Sequence, residues 1–156
     1  MENRISRDSL HMSTALLFAR RAMCKRGKVG CVLVRDGRVI AISYNGPLPG
    51  NKHCGNHCDL DSPCSESLHA EQNLIAFCAK NGIETEGAEL FITTTPCKTC
   101  AKVVIQAGIK AVIYYEDFRE TEGLRLLTQN HVEVEKYEEK RNGPIPVGIL
   151  PEHTGR

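Results

Sequence analysis

The chain has 156 residues, 41% of them hydrophobic and 25% charged, with Lys+Arg 20 against Asp+Glu 19 and a formal net charge of +1. This is the length and composition of one globular domain with a real core. The charge balance argues against a protein wrapped in nucleic acid by bulk electrostatics and against an acidic disordered chain. Eight cysteines and six histidines stand out. The cysteine fraction is too low for a disulfide-stapled secreted scaffold. Met1-Glu2-Asn3-Arg4 has no apolar core like that of a signal peptide, and no apolar run approaches the roughly 20 residues that cross a bilayer. A reducing, cytoplasmic setting is expected, with no membrane partner, where grouped Cys and His bind metal more often than they cross-link.

The first predicted element is a helix over Ser6–Arg21, capped by Ser6 or Asp8, with Leu10, Leu17 and Phe18 on its apolar face. Next come two strands, 30–35 and 38–44, flanking Asp36-Gly37. That pair is a hairpin signal, because a type I′ turn needs positive φ at both central residues. Asn45 to Leu68 has no sustained periodicity and reads as a long loop holding His53, Cys54, His57, Cys58 and Cys64. A helix is expected from His69, ending at Gly82. Then follow a strand at 90–94, a helix over 96–107 with Gly108 beyond its end, a strand at 111–115, a helix over 124–130 and an edge strand at 132–135. Helix and strand alternate after the hairpin, which implies an α/β sheet, mostly parallel beyond the hairpin, with helices on both faces. One domain over 1–140 is expected, followed by an irregular tail over 141–156 rich in proline: a flexible end or an arm packed on a neighbour.

Two short pieces carry the chemistry: His69-Ala70-Glu71 and Pro96-Cys97-Lys98-Thr99-Cys100. Cys97 and Cys100 sit at a predicted helix start, where both sulfurs face one side and the helix dipole favours thiolate. His69 opens another helix, and one helix and one strand separate the two pieces. His69, Cys97 and Cys100 make three ligands with a fourth position open, the coordination of a catalytic zinc. Glu71 reaches the same place without ligating. This H-x-E…P-C-x-x-C order is the signature of zinc nucleobase deaminases. It implies proton transfer by Glu71 and hydrolytic loss of ammonia from a ring. Alone, C-x-x-C is as often structural zinc or a redox pair, and His-x-Glu says little.

From about Cys24 to Lys136 the chain resembles the deoxycytidylate (dCMP) deaminases of the cytidine-deaminase-like superfamily. The resemblance extends to Cys24-Lys25-Arg26-Gly27-Lys28-Val29-Gly30, to Tyr44-Asn45-Gly46-Pro47 and to Gln106-Ala107-Gly108-Ile109-Lys110. It implies a three-layer αβα sandwich on a mixed five-stranded sheet, and a small deoxynucleotide substrate with no nucleic-acid partner. By resemblance, Asn45 contacts the deoxyribose and Arg26 the 5′-phosphate. It also implies a homo-oligomer, often a hexamer, with activation by dCTP (with Mg²⁺) and inhibition by dTTP in many members. Members often carry a Tyr near the substrate phosphate where this chain has Phe118, followed by Arg119. That departure leaves dCTP open as a substrate beside or instead of dCMP.

Some microbial and viral members carry a second, structural zinc joining the first-strand entry to the long loop. Cys24, Cys54 and Cys64 resemble its ligands, and Cys58 or His57 would complete the tetrahedron. Cys31 and Cys78 fall within a strand and a helix stripe and read as small core residues. The competing readings are a tRNA-editing or free-base deaminase on the same zinc core, and a two-zinc structural module without catalysis.

Overall fold

The computed structural model describes residues 4–53, 58, 60–61, 64–118, 120–146 and 148. Helix α1 runs Arg7–Ala19, and Ser6 caps it by accepting the Ser9 N–H at 2.9 Å. Strands β1 (Gly30–Arg35) and β2 (Arg38–Tyr44) form the expected hairpin, with φ of 51° at Asp36 and 71° at Gly37. A two-residue ribbon, β3 (Gly46–Pro47) with β4 (Ser67–Leu68), closes the base of the long loop. Then follow α2 (Ala70–Asn81), β5 (Glu89–Thr94), α3 (Lys98–Gln106), β6 (Ala111–Glu116), α4 (Glu122–Gln129), β7 (Glu133–Lys136) and α5 (Glu139–Asn142). No helix among the described residues is long and apolar enough to cross a membrane.

The main sheet has the order β2-β1-β5-β6-β7. β1 is antiparallel to both β2 and β5, while β5, β6 and β7 run parallel. Two reversals therefore bring the carboxyl ends of β2, β5, β6 and β7, and the amino end of β1, to one edge of the sheet. The period-2 alternation of strands divides the core in two. Cys31, Leu33, Leu90, Ile92, Val112 and Tyr114 face α2, α3 and α4. Val32, Val34, Phe91 and Ile113 face α1, together with Tyr137 and Ile145. This is the expected three-layer α/β sandwich. Cys31 and Cys78 are fully buried packing residues, as read from sequence.

One expectation is corrected. The apolar face expected on α1 is its outer one: Leu10 and Leu17 are 48% and 52% exposed, while Ser9, Met12, Ala15, Leu16 and Ala19 are buried. Side-chain size decided this. A Cβ on Gly30 would lie 2.1 Å from Ala15 O, so the helix rests on β1 through its small residues. Residue 140, where the tail is expected to begin, falls inside α5, and described residues after it bond to the two ends of this chain's own α1. Ser6 Oγ donates to Asn142 O, Ser9 Oγ to Pro144 O, and Arg20 Nη1 to Gly148 O at 2.8 Å.

Candidate active site and metal centre

His69 and Cys97 occupy equivalent places: each is the extended N-cap residue of a helix, α2 and α3 respectively. Extended backbone at a cap turns the side chain back over the helix start, where unpaired N–H groups collect. Cys97 Sγ accepts the Cys100 N–H at 3.4 Å, and the His69 N–H donates to Gln72 Oε1 at 3.1 Å. His69 Nδ1 lies 3.6 Å from Cys97 Sγ and 3.4 Å from Cys100 Sγ. The three ligand atoms lie within 4.8 Å of one another, the one such group among the described residues. Two sulfurs and one imidazole nitrogen at this spacing suit zinc, a borderline-soft cation that takes Cys and His together.

The electrostatics agree with a metal site. Hydrogen bonds from Cys100 and His69 pull the Cys97 thiol down to about 3. The Cys100 thiol is pushed up, first by its hydrogen bond with Cys97 and then by burial. The hydrogen bond with Cys97 raises His69, against the opposing effect of burial. Glu71 sits in the first turn of α2, 3% exposed, and burial lifts its carboxyl to about 7. A carboxyl held near neutrality beside three ligands is suited to taking and returning a proton.

The other expected residues arrive at the same sheet edge by different routes. Asn45 directly precedes β3 and His69 directly follows β4, so the Gly46–Leu68 pairing brings the two together. Asn45 is 8% exposed and both ends of its amide are engaged: Oδ1 accepts the Val29 N–H at 2.9 Å, and Nδ2 donates to Gly27 O at 3.0 Å. It thereby fixes the loop that carries the exposed Arg26. Phe118, two residues past the end of β6, is 49% exposed. Arg119, Cys54 and His57 lie outside the described residues. Cys24 and Cys58 are half-buried and Cys64 is exposed, and these three do not form a second ligand group.

Besides Gln72, three supporting residues escaped the sequence reading. Asn73 Nδ2 donates to Tyr44 O at 3.0 Å, tying α2 to the end of β2 beside Asn45. Thr95, 3% exposed, accepts the Phe118 N–H at 2.9 Å through its hydroxyl. Gly123 lets α4 approach the Pro96-Cys97 turn, where a Cβ would fall 1.9 Å from Pro96 O. Only Gln72 had a local signal, the polar residue three after a cap. Asn73, Thr95 and Gly123 act across the fold, and nothing beside them in sequence marks it.

Residues 5–116 match the family model described as the cytidine and deoxycytidylate deaminase zinc-binding region. ComE operon protein 2 of Bacillus subtilis is 45% identical over 118 residues, covering 74% of this chain and 62% of that protein. The deoxycytidylate deaminase of Schizosaccharomyces pombe is 38% identical, covering 74% of this chain and 38% of that one. The chain thus spans less than two thirds of the length of either relative. The cyanophage S-TIM5 dCMP deaminase, solved in complex with dCMP and dUMP, superposes with a TM-score of 0.76 at 41% identity, covering 82% of this chain and 94% of that one. With its His69, Cys97 and Cys100 cluster and its matching fold, the chain belongs to the cytidine and deoxycytidylate deaminase zinc-binding family.

Proposed function

We propose that this protein is a zinc-dependent hydrolase that converts dCMP and water to dUMP and ammonia. The observation that carries this reading is the buried Glu71 carboxyl beside the three-ligand group of His69, Cys97 and Cys100. A purely structural zinc has no use for a buried acid at that place. Zinc bound there would supply a water made acidic near neutral pH, at the fourth position left open by three protein ligands. Glu71 takes a proton from the attacking water and delivers it to the pyrimidine ring nitrogen, and then carries a second to the departing amine. Its raised pKa matches that two-way traffic near pH 7.

Substrate selection in this reading comes from the sheet edge. Asn45 contacts the deoxyribose while holding the 27–29 backbone, and Arg26 meets the 5′-phosphate in fork geometry. By resemblance, Phe118 takes the place of a tyrosine near the substrate phosphate, and Arg119, next in sequence, is the further candidate for a phosphate contact. The likeness to a dCMP deaminase solved with dCMP and dUMP supports the monophosphate. Phe118 in place of a phenol is the feature that favours dCTP as an alternative.

The same reading includes regulation by dCTP with Mg²⁺ and by dTTP, a homo-oligomer of hexameric type and a cytoplasmic setting that keeps Cys97 and Cys100 reduced. It also includes a second zinc on Cys24, Cys54, Cys64 and either Cys58 or His57, supported by the three cysteines and two histidines between 53 and 64. Elemental analysis returning about two zinc ions per chain would support that site, and a firm value of one would remove it.

Steady-state turnover of dCMP, dCTP and deoxycytidine, with and without dCTP plus Mg²⁺ or dTTP, tests the assignment. The expected order places dCMP well above deoxycytidine. A preference for deoxycytidine overturns the phosphate site, and no turnover of any of the three overturns the function.

A further inference from the structure

Phe118 is a large aromatic side chain at the rim of the site, and at 49% exposure packing alone does not hold it in place. Its backbone is held instead. The Phe118 N–H donates to Thr95 Oγ1 at 2.9 Å, and Thr95 itself is 3% exposed. The Thr95 N–H donates in turn to Glu116 O at 3.0 Å. These bonds lie just past the last paired rung of β5 and β6, Thr94 with Glu116. Parallel strands are free to part at that point. Here one chain runs on to Cys97, two residues later, and the other runs on to Phe118.

Thr95 therefore belongs to both paths. Its main chain continues into the turn that presents a metal ligand, and its hydroxyl fixes the first residues of the loop that presents Phe118. The turn is braced from its other side by α4, where Gly123 packs against Pro96 O. Cys97 has its own restraints from the Cys100 N–H and His69. The hydroxyl of Thr95 is accordingly the one bond in this set whose loss frees the Phe118 loop and leaves the metal ligands held.

The geometry points to Thr95 as a positioning residue for substrate selection: its hydroxyl sets the distance between the metal group and the loop that flanks the nucleotide phosphate. This inference rests on the proposed function and adds the residue that makes its phosphate wall rigid. A hydroxyl acceptor is required at that place. Valine has nearly the same shape and cannot accept the Phe118 N–H, whereas serine can.

The test compares Thr95→Val and Thr95→Ser in the zinc-loaded protein by zinc content, by amide hydrogen exchange across 116–118, and by steady-state kinetics with dCMP and deoxycytidine. For Thr95→Val, zinc content and kcat stay near wild type, exchange at Phe118 accelerates, and KM for dCMP rises about fivefold, the equivalent of one lost hydrogen bond. KM for deoxycytidine, which lacks the phosphate, stays in place, and Thr95→Ser restores wild-type behaviour. Unchanged KM for dCMP, or a loss of zinc or kcat shared by both variants, overturns the positioning role. A wild-type enzyme that turns over dCMP while Thr95→Val keeps its KM removes this inference alone. A wild-type enzyme without dCMP turnover removes the proposed function, and this inference with it.

Discussion

His69 Nδ1 and Cys97 Sγ stand 3.6 Å apart although 28 positions separate them in the chain. Both residues cap a helix, and the two helices start at the same edge of the sheet. The site is thus made of two helix beginnings, each rich in unpaired N–H groups and each favouring negative charge. Thiolate ligands and an anionic substrate both suit such a place.

Glu71→Gln keeps the shape of the side chain and removes its ability to take a proton. Zinc content should remain near wild type while kcat falls by about 10²- to 10⁴-fold. Elemental analysis with turnover measurements on the same sample checks this. Retained turnover would dismiss Glu71 as the proton carrier.

The raised pKa of Glu71 also has a stability signature in the metal-free protein. Burial lifts the folded carboxyl from 4.5 to about 7, so between those values the folded state holds a proton that the unfolded state has lost. Stability therefore falls as pH rises through this window and levels off above it. Glu71→Gln should stabilise the metal-free protein at pH 8 by up to roughly 3 kcal/mol and leave it nearly unchanged at pH 4. Thermal melts at the two pH values give the comparison, and equal shifts at both would contradict it.

Zinc loading should release protons. Cys97 is already a thiolate near neutral pH, but Cys100 is held protonated by Cys97 and by burial, and His69 is raised as well. Metal binding needs all three deprotonated, so affinity should weaken as pH falls. Calorimetric titration with zinc in two buffers of different ionisation enthalpy reads the released protons directly. Heats that do not depend on the buffer would refute the displacement.

Gly123→Ala probes the contact behind the metal turn. The new Cβ would fall 1.9 Å from Pro96 O, a backbone atom with no rotamer to escape into. Overpacking of this kind costs about 1–3 kcal/mol. Because the displaced backbone leads straight into Cys97, zinc affinity should drop together with the melting temperature. A variant with wild-type zinc affinity would show that the turn yields without moving its ligand.

Ile145 separates the tail from the site. It is 5% exposed and packs in the α1-side core with Met12, Leu16 and Tyr137. Ile145→Ala should cost about 2 kcal/mol or more of folding stability while leaving zinc content unchanged. Denaturant unfolding and elemental analysis check the two halves, and a stability change near zero would mean the tail contributes no core packing.

Much of the site was legible in sequence because its chemistry is local. Cys97 and Cys100 are three residues apart at a helix start, His69 and Glu71 two apart at another, and the Pro, Gly and Asp-Gly signals around them report backbone geometry that each short segment determines for itself. Gly82 and Gly108 end their helices with φ of 65° and 71°, as their positions imply. The alternation of helix and strand likewise implied the layered sheet. Which face of α1 turns inward was a different matter: apolar residues lie on both faces, and the close approach at Gly30 admits the one that carries Ala15 and Ala19. Tertiary structure alone also bonded the Asn45 amide to Gly27 and Val29, set the Thr95 hydroxyl under Phe118 and laid Pro144 against Ser9, 135 positions away. A sequence determines directly what adjacent residues do to one another's backbone. Contacts between distant residues depend on which small side chains let two elements approach, and that is settled only when the whole sheet has formed.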